Sequence, residues 1–386
     1  MAKRRIRMGM VGGGPGSFIG IVHLNAAVLD GQIELVCGAF SSDPEKSKRA
    51  GQNYYLSPSR VYPDFRQMFE KERALPEDER MDMVCIVTPN HLHYEPARLA
   101  LESGFHVVSD KPLTYTTQEA EELVRLVEST GLIFAVTHAY TGYPMVKEAR
   151  QLIAGGGLGA IRKVVSEYPQ GWLSSAVEKE GNAQAAWRTD PGRSGKSGCM
   201  GDIGTHALNL AEYLTGLKVT ELCADLTTFV PGRELDDDGN VLLHFDNGAR
   251  GVLYASQVSA GEENSLTIRV YGEKGGMEWH QMEPNTLLIK WSDRPVEIRR
   301  AGTPWLSEVA AFNTRLPMGH PEGLIEAFAN IYRNVATCIQ SKEEGVDPPG
   351  AALDFPDVYD GLRGMQFIDT LIKSGQSTEK WTKFAG

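Results

Sequence analysis

Asp202 and His206 stand four residues apart in Ser197-Gly-Cys-Met-Gly-Asp-Ile-Gly-Thr-His-Ala-Leu-Asn-Leu210. On a helix that spacing puts a carboxylate and an imidazole on one face. The acid then fixes the tautomer and supports the cation of a ring that takes a proton near neutral pH. Such a pair also serves as plain structure in core helices. Here the surrounding glycines and the preceding Trp187-Arg188-Thr-Asp-Pro-Gly-Arg-Ser-Gly195 loop favour a site. Lys111, in Val107-Val-Ser-Asp-Lys-Pro-Leu-Thr114, ends a strand-like run, where an ammonium can hold a substrate hydroxyl or steady an alkoxide. Pro112 fixes the turn that aims it, although Asp-Lys-Pro is also a common surface turn. His320, in Gly319-His-Pro-Glu-Gly323, is a further candidate for the same crevice.

A second group of residues points to a dinucleotide. The first strand runs into Val11-Gly-Gly-Gly-Pro-Gly-Ser-Phe-Ile-Gly20, and a helix carrying His23 follows. Glycines let backbone approach a pyrophosphate, and the helix N-terminus supplies N–H groups and positive dipole. Gly12-x-Gly14 has the usual spacing. The third glycine is Gly20 if His23 anchors the register, so the loop is longer by two residues and Gly16-Ser17-Phe18 bulges toward the diphosphate. At the end of the second strand Ser41 stands where an acid would take the ribose of NAD, which loosens the exclusion of NADP. Asp43 would repel a 2′-phosphate, which tips the expectation to NAD. Thr88-Pro89-Asn90 follows the central strand Val84-Cys-Ile-Val87 and is expected to line the cofactor crevice. His91-x-His93 could ligate a metal, but no further ligand cluster has suitable spacing, so no metal is expected.

The elements that must position these residues change character along the chain. Up to about residue 138, strands at Ile6–Val11, Ile33–Phe40, Met83–Thr88, His106–Ser109 and Ile133–Val136 alternate with helices at Val22–Leu29, Pro44–Ala50, Asp64–Glu72, Tyr94–Ser103 and Thr117–Ser129. Strict alternation means βαβ units and a parallel sheet buried on both faces. Beyond it, a helix at Met145–Ala154 and a strand at Arg162–Glu167 precede hairpins around Asp246-Asn-Gly248 and Gly272-Glu-Lys-Gly275. This second half reads as an α+β domain with an antiparallel sheet, closed by helices at Glu322–Gln340 and Val358–Ser374. The domains are therefore 1–138 and 139–386. Asp236-Asp237-Asp238 lacks the spacing of a calcium loop and reads as a solvated hairpin turn.

Composition narrows the function. The charge of −11, without a basic stripe, excludes nucleic acid as the expected partner. No run reaches the roughly 18 apolar residues of a membrane helix. Five scattered cysteines, Cys37, Cys85, Cys199, Cys223 and Cys338, fit reduced thiols in the cytoplasm. The basic start Met1–Arg7 could open an export signal, but the glycine loop arrives before an apolar core of sufficient length.

Taken in this order, the glycine loop with His23, Thr88-Pro-Asn90 with His93, Asp110-Lys111-Pro112 and Asp202-x-Gly204-x-His206 resemble the Gfo/Idh/MocA family, over nearly the whole chain. That family is named for glucose-fructose oxidoreductase, inositol dehydrogenase and a rhizopine-catabolism protein. The resemblance implies a Rossmann NAD(P)-binding domain, then an α+β domain whose open, largely antiparallel sheet commonly makes homodimers or homotetramers. It implies hydride transfer between nicotinamide and a secondary hydroxyl of a sugar, glycoside or inositol-type polyol. Lys111 would polarise that hydroxyl, His206 would act as general base or acid, Asp202 would pair with it, and His320 would meet the sugar. Cofactor contacts would come from Gly12, Gly14, Gly16, Ser17, Phe18, Ile19, Gly20, Ser41, Thr88, Pro89, Asn90, His93, Asp110, Lys111, Trp187 and Arg188. Two positions depart from the family: Asp110 replaces its glutamate, and Asn209 a frequent acid. Two other readings stand beside the dehydrogenase: a non-catalytic NAD(P)-binding regulator, and a sugar–sugar oxidoreductase that keeps its cofactor.

Overall fold

The computed structural model describes Arg4 to Phe384; the first three residues of the basic start lie outside the described residues. The chain forms two compact units. The first comprises the residues up to Gly142 together with Leu324–Leu362, and the second comprises Tyr143–Gly323 with Arg363 onward.

In the first unit the strands β1 (Ile6–Gly12), β2 (Ile33–Ala39), β3 (Met83–Val87), β4 (His106–Ser109) and β5 (Phe134–Val136) form a parallel sheet in the order β2-β1-β3-β4-β5. Every residue of β3 is buried, as a strand covered on both faces requires. Helices α1 (Phe18–Val28), α2 (Pro44–Asn53), α3 (Phe65–Ala74), α4 (Tyr94–Glu102) and α5 (Thr117–Thr130) alternate with them. Helix α1 starts four residues before the expected Val22, because Ser17 caps it by accepting the Gly20 N–H at 3.1 Å. Helix α5 opens on the expected cap, a reciprocal Thr116–Glu119 box.

In the second unit, α6 (Pro144–Ala154) leads into β6 (Ile161–Pro169), and α7 (Ala183–Arg188), α8 (Pro191–Ser194) and α9 (Thr205–Thr215) follow. Then come β7 (Val219–Thr227), β8 (Asp238–Phe245), β9 (Arg250–Ser256), β10 (Thr267–Gly272), β11 (Gly275–His280), β12 (Thr286–Trp291) and β13 (Glu297–Arg300). A short helix α10 (Glu308–Phe312) precedes the closing segments, and β14 (Thr382–Lys383) ends the sheet. The strand order is β13-β12-β11-β10-β6-β9-β8-β7-β14. The sheet is antiparallel as expected except where β6 meets β9, which run parallel. Helix α9 carries the chain back along the sheet before β7 begins, so β7 and β9 share the direction of β6. One face of the sheet, with Leu243, Leu253 and Ala255, is buried, and α6 and α9 pack on the sheet. The alternate positions, among them Leu242, Val252 and Ile298, are half-buried or exposed.

The acidic triplet is not the solvated turn that its composition suggests. Asp236 and Asp237 are buried, and Asp238 opens β8. Asp237 accepts the Phe229 and Val230 N–H groups at 2.7 and 3.0 Å and pairs with Arg233.

Two long helices close the chain, α11 (Leu324–Glu344) and α12 (Val358–Gly375). The first of them groups with the first unit, although its place in the sequence lies within the expected second domain, 139–386. It packs on α1, and its Phe328, Tyr332, Val335 and Ile339 share one core with Met10, Ala26 and Cys85. Asn330 donates to Gly142 O at 2.8 Å, and a Cβ on Gly142 would fall 2.1 Å from Ala327 O, so only glycine lets the chain pass there.

Candidate active site

The glycine loop lies at the carboxyl end of β1, between β2 and β3, the point where the strand order reverses and ligands of such sheets bind. Gly12 and Gly13 have φ of +85° and +73°, and a Cβ on Gly20 would fall 2.4 Å from Gly13 Cα. Gly20 therefore fills the third-glycine role, close packing of helix on loop. Backbone that only glycine permits, leading into the N-terminus of an eleven-residue helix, fits a dinucleotide pyrophosphate. After β2, the Asp43 carboxylate accepts the Glu45 and Lys46 N–H groups and so caps α2, while Ser41 Oγ accepts the Asp43 N–H.

Loops after β3 and β4 are tied by one ring. His93 Nδ1 lies 2.8 Å from Pro112 O, and Nε2 lies 2.7 Å from Thr88 O. Burial lowers its pKa despite the nearby Asp110 charge, and a neutral ring donates to only one of those carbonyls. Asp110 Oδ1 accepts the Lys111 N–H at 2.8 Å and the Thr137 hydroxyl at 3.0 Å, which sets the turn that presents Lys111. The Lys111–Pro112 peptide is cis. His23 lies buried beneath the loop, with Nδ1 2.7 Å from the Tyr332 hydroxyl, which also meets Cys85 Sγ at 2.8 Å. Burial pushes His23 down to about 4 and Cys85 up to about 12, so both stay neutral.

In the second unit, Met200–Gly204 is a π turn that leads into α9, and the Thr205 N–H reaches back to Met200 O. Such insertions are rare and recur at functional sites. Asp236 fastens its start. Oδ1 accepts the Ser197 hydroxyl at 2.7 Å and the Gly198 N–H at 2.9 Å, and Oδ2 accepts the Met200 N–H at 2.8 Å. Asp202 leaves this turn and accepts from Arg188 Nε at 3.1 Å and Gln257 Nε2 at 2.9 Å, both on Oδ2. The Arg188 guanidinium also lies 4.2 Å above the Trp187 ring and donates to Gln184. His206 is buried on α9 with the Tyr168 ring 6.3 Å away, and Ser166 of β6 anchors that helix by donating to Ala207 O. His320 is exposed, its Nδ1 3.3 Å from Pro317 O, and the helix expected to start there begins at Leu324.

Thus the structure places Asp202 with Arg188, and Asp110 with the Lys111 backbone. It also adds residues that motif reading passed over. Gln257 extends the inward face of β9, after Leu253 and Ala255, so a polar residue on an apolar face was its signal. Asp236 and Tyr54 had no such signal. Among the described residues no group of three His, Cys, Asp or Glu is suited to a metal ion, and no helix is long and apolar enough to cross a membrane.

Comparison with known proteins covers both halves of the chain. Residues 6–138 match the oxidoreductase family with an NAD-binding Rossmann fold, and residues 146–278 match the GFO/IDH/MocA C-terminal domain. The chain is 34% identical to the oxidoreductase YfiI of Bacillus subtilis, over 98% of this chain and 97% of that one. It is 28% identical to levoglucosan dehydrogenase of Pseudarthrobacter phenanthrenivorans over 59% of this chain and 62% of that protein. An inositol dehydrogenase homolog from Azotobacter vinelandii, solved with NAD+, superposes with a TM-score of 0.93 at 35% identity, covering 99% of this chain and 98% of that one. The same homolog was also solved with NADH and myo-inositol, with a TM-score of 0.91. With both halves matched and the full length aligned, the chain belongs to the Gfo/Idh/MocA family of oxidoreductases, whose Rossmann domain binds NAD.

Proposed function

We propose that the chain is an NAD(P)-dependent dehydrogenase acting on a secondary hydroxyl of a sugar, glycoside or inositol-type polyol. The observation that carries this reading is the Asp202 carboxylate, held by Arg188 and Gln257 on a π turn four residues before His206. A carboxylate fixed by two donors, one of them a guanidinium, is held in place to support a ring that gains a proton. When bound, the nicotinamide supplies the hydride acceptor. Lys111 holds the substrate hydroxyl and polarises it, and a ring nitrogen of His206 accepts the hydroxyl proton as the alcohol becomes a ketone. In reduction His206 returns that proton to the oxygen. The cofactor is held at Gly12, Gly14 and the Ser17–Gly20 helix start, with the Thr88–Asn90 loop and Trp187–Arg188 as further contacts. The Azotobacter homolog, with NADH and myo-inositol, supports both the substrate class and NAD as the favoured cofactor. No acid is free at the end of β2, since Asp43 caps α2, so NADP remains a substitute. The half-exposed alternate face of the second sheet would join subunits into a homodimer or homotetramer. Five free thiols suit the cytoplasm.

The test is reduced-nicotinamide absorbance with NAD or NADP and a panel of inositols, hexoses and glycosides. One polyol class should give turnover, and His206→Ala should lower it by about 10²–10⁴-fold with NADH binding retained. Undiminished turnover in that variant would sink the assignment. Tight NADH binding with no turnover on any polyol would make the chain a nicotinamide-sensing regulator instead.

A further inference from the structure

Tyr54 ends α2, some forty residues beyond the glycine loop, yet its hydroxyl donates to Gly13 O at 2.9 Å. The ring is held in place for that task. Its backbone N–H bonds Ala50 O at 3.0 Å, and its edge meets the buried Phe40 ring with centroids 5.2 Å apart at 66°. Gly13 has a φ of +73°, so its carbonyl takes a direction that other residues adopt only under strain. On the other side of the same peptide bond, a Cβ on Gly14 would fall 2.7 Å from Phe40 O. The Gly13–Gly14 peptide is therefore held at its carbonyl by the Tyr54 hydroxyl and runs so close to Phe40 that no side chain fits at Gly14. From Gly14 the chain passes to the cap of α1, with the Ser17 N–H bonded to Gly14 O at 3.0 Å.

A planar trans peptide points its carbonyl and its N–H in opposite directions. With Gly13 O turned to the Tyr54 hydroxyl, the Gly14 N–H points away from Tyr54. Glycine peptides flip easily, and a flipped plane would present a carbonyl oxygen where the loop must present hydrogen. An anion cradle built from backbone N–H groups works only if those groups are already aimed. We propose that Tyr54 is a positioning residue for the dinucleotide pyrophosphate: its hydroxyl locks the Gly13–Gly14 peptide so that the Gly14 N–H faces the phosphates. The role rests on the cofactor reading above. It concerns no motif residue, and it adds to the helix N-terminus a second, side-chain-controlled determinant of affinity. Burial raises the phenol pKa, which keeps the hydroxyl a donor.

The test is Tyr54→Phe, which keeps the ring and its contact with Phe40 and removes only the hydroxyl. NADH binding is read by fluorescence, ADP-ribose by calorimetry and adenosine by competition, all on the full chain. Losing one hydrogen bond should raise Kd for NADH and ADP-ribose by about three- to tenfold. Adenosine, which has no diphosphate, should bind as before; KM for the cofactor should rise while kcat holds. Unchanged affinity for ADP-ribose would overturn the proposal. An equal loss for adenosine would also overturn it, by showing that the variant merely loosens the fold. Failure of the unaltered chain to bind NADH or ADP-ribose would remove the cofactor reading itself, and the proposal with it.

Discussion

Asp202 draws its partners from far along the chain: Arg188 fourteen residues before it and Gln257 fifty-five residues after. Gln257 is 2% exposed, so its amide has little recourse to water, and removing it leaves the carboxylate oxygen with one donor fewer. A hydrogen bond to a charged group contributes roughly 1.5–3 kcal/mol, so Gln257→Leu should lower kcat/KM by about 10- to 100-fold. NADH affinity should stay constant. An unchanged kcat/KM would show that Gln257 only fills space. Asp202, His206 and Lys111 could be proposed from the sequence because residue type and local spacing would carry their chemistry. Gln257 and Tyr54 were not, because each reaches its partner through tertiary folding, across 55 and 41 positions, and no local pattern encodes such a reach.

The element on which the second unit's chemistry turns is the π turn Met200–Gly204, and Asp236 is its fastening. Both carboxylate oxygens accept from donors, so an amide cannot replace it. In Asp236→Asn one NH2 would face an N–H or a hydroxyl, and a buried mismatch of that kind costs about 1–3 kcal/mol. The variant should unfold at lower urea, and amide exchange should rise first in Met200–Gly204; an unchanged midpoint would show the fastening to be dispensable. Legibility at this scale followed periodicity. The βαβ half was readable because buried parallel strands are short apolar runs between amphipathic helices. The two hairpins announced themselves through Asn247-Gly248 and Gly272-Glu273-Lys274-Gly275. The strands β7 and β12–β14 lacked such signals, since mixed exposure along Val219–Thr227 and Glu297–Arg300 blurs the two-residue period. The acidic triplet misled for a related reason. Composition alone makes three aspartates a solvent turn, whereas backbone N–H groups supplied by two other loops make two of them internal.

At the scale of the whole molecule, four buried histidines make the first unit sensitive to acid. His23, His93, His106 and His138 all belong to the first unit, and burial lowers all four. His23 and His106 fall from 6.5 to about 4, a shift that amounts to roughly 3 kcal/mol per ring. The unfolded rings take protons below about pH 6.5, and the folded rings resist until near 4. Their contribution is therefore complete above 6.5 and is lost as pH falls toward 4, at up to ~1.4 kcal/mol per pH unit for each ring. Lowering pH from 7 to 5 should depress the thermal midpoint, with amide exchange rising first in the five-stranded sheet. His106 Nδ1 accepts the Ile133 N–H at 2.8 Å, a bond that Asn can keep without titrating. His106→Asn should flatten the slope, and an equal slope in that variant would exclude this ring as a source.

The first unit is also discontinuous in sequence, since α11 supplies Phe328, Tyr332, Val335 and Ile339 to a core whose other half lies before Gly142. On the ribosome those two halves emerge at different times. The dinucleotide half, synthesised first, cannot close its core until residue 344 has left the exit tunnel. Met10 and Cys85 wait uncovered while the whole stretch from Tyr143 to Gly323 is translated. A gene fragment that stops at Gly142 inherits that unfinished state permanently, whereas one that splices Leu324–Leu362 onto it restores the missing wall.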